Sequence, residues 1–399
     1  MDVYTNQYVT SAIPFMEASA STAEIERFGL HHGDVVITKD SETPDDIGIP
    51  SVIAEEIDGL VCGYHLALIR PHSDEIDSVY LAKQLSTARV ARYFALRASG
   101  STRYGLPISA IESVEIPAPP KPEQTKIAEI LSTVDRAIEQ TEALIAKQQR
   151  IKTGLMQDLL TCGIDEHGNL RSEQTHKFKD SPLGRIPVEW KVEELGAVAF
   201  VTKLAGFEFT NYFDYRIGGD IIALRALNIK NERLDLTDIQ RIPKAVSEKL
   251  PRSKIFADDI LITYIGAYIG DVLRIEESEK YHLAPNIAKI IAGKLLAPEF
   301  LEIFLRSSLV QRHIKNLTVV TATPSLTMTQ IRKLLIAVPK DDKEQYEITS
   351  RIRSISKALN SIETESNKLR SVKTALMQDL LTGKKRVTAL LKNKEAASV

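Results

Sequence analysis

The sequence predicts an α+β chain built twice: two mixed α/β globular segments separated by two long helices packed as an antiparallel coiled coil, with a pseudo-two-fold internal repeat. Three observations predict it. The word KTGLMQDLLT at 152–161 returns as KTALMQDLLT at 373–382, with nine of ten positions identical. An apolar seam of helical period runs into each copy of that word. The upstream pair Glu123-Gln124 returns as Glu344-Gln345 at the same offset of 221 residues. Self-similarity over so long a stretch marks a tandem duplication.

The chain has 399 residues, 43% of them hydrophobic and 26% charged, with a formal net charge of −2. That length suits two or three domains with real cores. The neutral balance supplies no bulk cationic signal for nucleic acid, although a local groove can be basic in a neutral protein. Cys62 and Cys162 are the only cysteines, so neither a disulfide framework nor a cysteine-rich zinc site is expected. The first residues carry no signal-peptide pattern and no run of 18 apolar residues occurs, so a soluble cytoplasmic protein without a membrane segment is expected.

Residues 1–120 read as the first globular segment. Apolar strands are expected at 34–38, 66–69 and 114–117, and a helix at 80–97. His65, within such a run, is expected to be half-buried. The period then changes. Ile127, Leu131, Val134, Ile138, Thr141, Ile145, Gln148, Ile151, Leu155 and Leu159 step by four and three, a heptad seam with two polar interruptions. Pro122 fits a first helical turn and Gly163 a left-handed stop, so 121–162 is one long helix. At ~1.5 Å per residue, about 38 residues of it make a rod of roughly 57 Å.

Residues 163–185 are polar and rich in turn formers, and read as a linker. The second globular segment spans 186–340, with strands at 259–263 and 287–291 and a helix at 300–317. The second seam, from Ile348 to Leu380, repeats the first position by position over 341–383. Asp341 and Glu344 form a capping-box-like start, Gly383 a stop, and 384–399 a basic, flexible tail. The globular segments match more loosely: Asp34 aligns with Asp259, Gly48 with Gly270, Leu106 with Leu326, at offsets of 225, 222 and 220. A kept scaffold with diverged loops suits one job done on two targets. The counterpart of Ile186 would precede Met1, so the first segment is expected to be about 40 residues short by this repeat rule.

The chain carries no Gly-x-x-x-x-Gly-Lys-Ser/Thr phosphate loop and no Asn-Pro-Pro-Tyr/Phe methyltransferase signature. Its eight histidines lack metal-ligand spacing. Within 121–161 six basic side chains face six acidic ones, and within 341–382 seven face seven, so the helices hold no strong field for phosphates.

With these features in hand, the chain resembles the DNA-specificity subunit of type I restriction-modification systems. The resemblance spans nearly the whole chain. It rests on the proline-then-Glu-Gln entry to each helix, the Leu-Met-Gln-Asp-Leu-Leu-Thr endings and Ile186-Pro-Val-Glu-Trp190. It also rests on Gly33-Asp-Val-Val-Ile-Thr38 and Gly63-Tyr-His-Leu-Ala-Leu68. It implies two target-recognition domains, each reading half of a split site in double-stranded DNA. It further implies two methyltransferase subunits and restriction/translocase subunits as partners. S-adenosylmethionine, ATP and magnesium would then be bound by those partners, and the chain itself would be non-catalytic. Two other readings stay open: a coiled-coil structural adaptor, and a truncated, inactive relative.

Loops after strands or helices supply the candidate DNA contacts, because Arg, Asn, Ser and Thr match base edges while Lys and Arg position phosphates. In the first copy these are Lys39, Ser41 and Thr43, then Ser101, Thr102, Arg103 and Tyr104. In the second they are Asn211, Tyr212, Arg225, Tyr264 and Tyr268, then Thr321, Thr323 and Ser325. Arg103 is the leading candidate, a cation between Gly100 and Gly105. Leu155, Met156, Leu159 and Leu160, with Leu376, Met377, Leu380 and Leu381, exceed a two-per-heptad stripe. They read either as a wider seam or as docking sites for two copies of a partner subunit.

Overall fold

The computed structural model describes residues 2–230, 232–318 and 324–391. The chain divides into two compact units, and the division falls inside both long helices. Unit 1 comprises 1–144 and 362–399; unit 2 comprises 145–361. The first long helix is Lys121–Cys162 and the second Asp342–Leu381. Gly163 and Gly383, with φ of +62° and +73°, take the left-handed conformation that stops them. Asp341 Oδ1 accepts from the Glu344 amide at 2.9 Å, which makes one half of a capping box. The other half is absent because the Glu344 side chain is engaged elsewhere.

Each unit joins the start of one helix to the end of the other. In unit 1, Ile127, Ala128 and Leu131 share a core with Leu380, Leu381, Tyr80 and Val387. Arg370 pairs with Glu142 and Lys373 with Asp135, each at 2.6 Å. Positions that rise along one helix fall along the other, so the contact is antiparallel. In unit 2, Leu159 and Leu160 share a core with Ile348 and Ile352, again antiparallel. The seam is buried at its ends and mostly half-buried between them, with Leu359 and Ser366 of the second helix buried as well. One position breaks it in both copies: Ile151 is 43% exposed and its counterpart Val372 is 47% exposed.

The repeated Glu-Gln pair does the same work in both units. Gln124 Oε1 accepts from the Asp77 amide at 3.0 Å, and its Nε2 donates to Glu75 O at 3.0 Å. Gln345 Oε1 accepts from the Ala297 amide at 2.8 Å, and its Nε2 donates to Leu295 O at 3.0 Å. Each glutamine thus clamps the globular part to its long helix through backbone groups. Each glutamate is buried and holds the segment that follows the opposite helix. Glu123 accepts from Arg386 Nε and Nη2 at 2.7 and 2.6 Å and from the Val387 amide at 3.2 Å. The Arg386 guanidinium holds the Glu123 carboxyl below its usual range. Glu344 accepts from Arg171, the Ile164 amide and Trp190 Nε1.

These contacts correct two expectations. The tail expected to be flexible is anchored as far as Val387: Arg386 pairs with Glu123, Lys385 with Asp379, and Val387 is buried. Residues 163–185 are more than a linker, because Arg171 is buried against Glu344 and Phe178–Ser181 pairs with Gly184–Pro187.

The sheets repeat in their centres and differ at their edges. In unit 1 the order is Tyr8–Val9, Pro50–Ile53, Val35–Thr38, Leu66–Ile69. In unit 2 it is Ala199–Lys203, Ile287–Ala292, Ile260–Thr263, Val272–Arg274. The strands Val35–Thr38, Pro50–Ile53 and Leu66–Ile69 correspond to the last three. Unit 2 adds a second sheet of Gln240–Ile242, Ile221–Leu224, Tyr281–Leu283 and Lys254–Ile255. The helices expected at 80–97 and 300–317 are each broken in two, as Ser78–Leu85 with Ala88–Ala95 and Pro298–Leu305 with Ser308–Thr318. The strand expected at 114–117 does not form. Its counterpart Leu335–Val338 pairs with Lys191–Glu194, and no such partner lies beside 114–117 among the described residues. A strand is a ladder, and one side alone cannot make it.

Candidate nucleic-acid interface

Three loops converge at one end of the repeated sheet, by the same bonds in both units. In unit 1 the strand Val35–Thr38 ends at Thr38, whose Oγ1 accepts from the Ile49 amide at 2.9 Å. The Lys39 amide donates to His65 O at 3.0 Å, and the Leu106 amide to Lys39 O at 2.7 Å. Asp40 and Ser41 then pair with Gly105 and Tyr104. In unit 2 Thr263 Oγ1 accepts from the Asp271 amide at 3.1 Å. The Tyr264 amide donates to Asn286 O at 3.0 Å, and the Leu326 amide to Tyr264 O at 2.8 Å. Ile265 bridges Ser325.

Glycine is required at one matched position. Gly48 has φ +79° and Gly270 has φ +89°. A Cβ on Gly48 would lie 2.3 Å from the Phe94 ring, and one on Gly270 2.9 Å from Gln311 Oε1. The return of the loop therefore packs directly on the helix behind it in each unit.

The profile of the family described as "Type I restriction modification DNA specificity domain" matches residues 6–148 and 187–371. The chain belongs to that family. Among its relatives is a putative type I restriction enzyme MjaX specificity subunit of Methanocaldococcus jannaschii. It is 26% identical over 367 residues, covering 91% of this chain and 81% of the relative. The EcoBI specificity subunit of Escherichia coli is 26% identical over 277 residues, covering 68% of this chain and 57% of that one. The fold is similar to the crystal structure of the type I restriction-modification S subunit from M. genitalium. There the TM-score is 0.58 at 15% identity, over 94% of this chain and 88% of that one. A second solved structure, described under complex assembly and conformational transition of the type I system, aligns with a TM-score of 0.53 at 14% identity, over 88% of this chain and 82% of that one.

In this member of the specificity family the loop pairing brings the two first-copy candidate groups together. Ser101, Thr102 and Arg103 are exposed and Tyr104 is half-buried. Lys39 Nζ lies 4.8 Å from the centre of the Tyr64 ring. Thr43 is exposed. Ser41 is buried at 8% exposure, so its hydroxyl faces its own loop, 3.4 Å from the Thr43 amide that donates to it. Gly100, at φ +149°, shapes the turn, since a Cβ there would lie 2.0 Å from Arg103 O.

In unit 2 the candidates are more scattered. Tyr268 and Ser325 are exposed at the loop junction. Tyr264 is buried at 6% exposure and its ring belongs to the core, because the alternation of the strand continues through it. Arg225 is half-buried and its Nη2 is held by Asp238 at 2.8 Å. Asn211 and Tyr212 are exposed at the end of the helix Gly206–Tyr212, where Lys249 lies 6.0 Å from the Tyr212 ring centre. Among the described residues no hydrogen bond joins either to the Tyr264–Ser325 loops. Thr321 and Thr323 lie outside the described residues.

The docking candidates pack against the cores of their own units. Leu159 and Leu160 are 1% and 0% exposed, and Leu380 and Leu381 7% and 1%. Leu155, Met156, Leu376 and Met377 pack half-buried against the same cores. Leu159, Leu160, Leu380 and Leu381 therefore cover each unit's own interior, which favours the wider-seam reading for these four.

Sequence reasoning passed over His65 and Asn286. His65 stands before its strand, not inside it, and its side chain is 55% exposed. Its Nδ1 lies 2.8 Å from Asp40 Oδ2 and 3.1 Å from Arg103 Nη2. The detectable signal was the motif Gly63-Tyr-His, in which Tyr64 is 81% exposed. Among the described residues no cluster of three or more side chains could hold a metal ion, and no helix is long and apolar enough to cross a membrane.

Proposed function

We propose that the chain reads a bipartite sequence in double-stranded DNA, one half-site per unit, and carries no catalytic step itself. The supporting observation is the twice-built loop junction. Backbone bonds and a tight glycine are kept at matched positions, while the loop side chains differ, as Lys39, Thr43 and Arg103 against Tyr268 and Ser325. Equal frames with unequal side chains suit two different base sequences.

Two methyltransferase subunits and restriction/translocase subunits complete the assembly in this reading, bringing the sites for S-adenosylmethionine, ATP and magnesium. Partner contacts fall on the exposed faces of the long helices, whose charges balance, since the apolar endings are already covered. Phosphate contacts come from cations at the loops, of which half-buried Lys39 and exposed Arg103 are the leading pair.

The test is a gel-shift series with the partner methyltransferase, using duplexes that carry both half-sites, one or neither, across a salt titration. Retention that requires both half-sites, and weakens with salt, supports the reading. Equal retention of all duplexes, or none, overturns it.

A further inference from the structure

We propose that His65 and Asn286 are equivalent base-reading positions, each contacting one base pair of its own half-site. The inference rests on the reading of the chain as a two-site DNA reader and names residues within it.

The two occupy one structural position. Each immediately precedes the matched strand, Leu66–Ile69 or Ile287–Ala292. Each offers its carbonyl to the residue that ends the neighbouring strand, Lys39 or Tyr264, at 3.0 Å in both cases. At His65 the scaffold asks only for a backbone carbonyl, which any residue provides; at Asn286 it also asks for a left-handed backbone. The side chain is free to vary, as a specificity position must be, and it has varied from histidine to asparagine.

Both side chains are placed to act. His65 Nδ1 stands between Asp40 Oδ2 and Arg103 Nη2, from two different loops, where it either donates to the carboxylate or accepts from the guanidinium, and more than half of its side chain stays exposed. Asn286 is half-buried in the left-handed region at φ +74°. Its side-chain amide makes no hydrogen bond among the described residues. Asparagine tolerates that backbone better than most residues, but glycine does so without cost. An amide with a free donor and a free acceptor matches N7 and N6–H of adenine in the major groove. Exposed Tyr64 and Tyr268 lie at the same two junctions.

The experiment uses the full chain assembled with its partner methyltransferase and a duplex library randomised one base pair at a time across the wild-type site. The variants are Asn286→Ala, Asn286→Gly, His65→Ala and His65→Asn. Asn286→Gly keeps the left-handed backbone unstrained and decides the case if Asn286→Ala fails to fold. The expected result is a roughly 10- to 100-fold loss of discrimination at one base pair, in one half-site for Asn286 and in the other for His65. His65→Asn is expected to change which base is preferred at that pair. Unchanged profiles, or uniform weakening across both half-sites, overturn the proposal. A wild-type protein with no bipartite preference overturns the underlying reading instead.

Discussion

The indole Nε1 of Trp190 donates to Glu344 Oε2 at 3.1 Å, and both side chains are buried. The other Glu344 oxygen is taken by Arg171 and the Ile164 amide. One carboxylate thus ties the opening of the second globular part, the segment after the first long helix and the start of the second. Removing it leaves the buried Arg171 guanidinium with only the half-exposed Glu189, at 3.4 Å, as counter-charge, which is most of the costly half of breaking an ion pair. Glu344→Ala is expected to lower the unfolding free energy by about 3–5 kcal/mol. Urea denaturation followed by Trp190 fluorescence measures it, and a loss within error would show the network to be dispensable.

Leu160 and Leu381 separate the core reading of the helix endings from the docking one. Both are essentially fully buried in their own units. Truncation to alanine is expected to cost about 2–5 kcal/mol each, from lost burial and the cavity left behind. Calorimetry of the isolated chain detects that loss. Full stability combined with weakened partner binding would restore the docking view.

His282 gives unit 2 a pH dependence. It is fully buried; Nδ1 lies 2.9 Å from Leu283 O and Nε2 3.3 Å from Leu250 O. Burial pushes its pKa below the ordinary value, so the folded state keeps it neutral. The unfolded chain takes up the proton first as pH falls. Stability is therefore full above the unfolded pKa of about 6.5 and declines below it. Thermal melts between about pH 7.5 and 5.5 should show the decline. His282→Gln, though less stable, should flatten that part of the profile; an unaltered slope would assign it to other groups.

Arg103 is exposed and linked to His65 at 3.1 Å. Arg103→Ala is expected to relax recognition in one half-site only, by roughly 1–3 kcal/mol at a single base pair if the contact is to a base. A uniform loss with a shallower salt slope would make it a phosphate contact. Sequencing of the DNA methylated by the assembled complex distinguishes the two.

Much of this fold was legible before any coordinates. The seams, the repeated endings and the glycine stops are local patterns, and a helix is a local structure whose period shows in the residues themselves. The strands at 34–38 and 66–69 were legible for the same reason. The strand at 114–117 was misread because its propensity was real but its ladder partner was not there. The eight apolar endings admitted two readings because a count of leucines gives the width of a stripe and not what covers it. Tyr264 and Arg225 carried suitable chemistry for DNA, but one was committed to the core and the other to Asp238.

What the sequence determined on its own is the duplication and the two long helices, since each is written in spacing along the chain, while the family resemblance is carried by the motifs at the helix ends and strand starts. What only the tertiary structure decided is who meets whom: Glu123 with Arg386, Glu344 with Trp190, His65 and Asn286 at matched loop junctions. The bonded partners are separated by up to 263 residues in the chain. Contacts between such distant positions are set by packing and hydrogen-bond satisfaction in three dimensions, and periodicity carries no record of them.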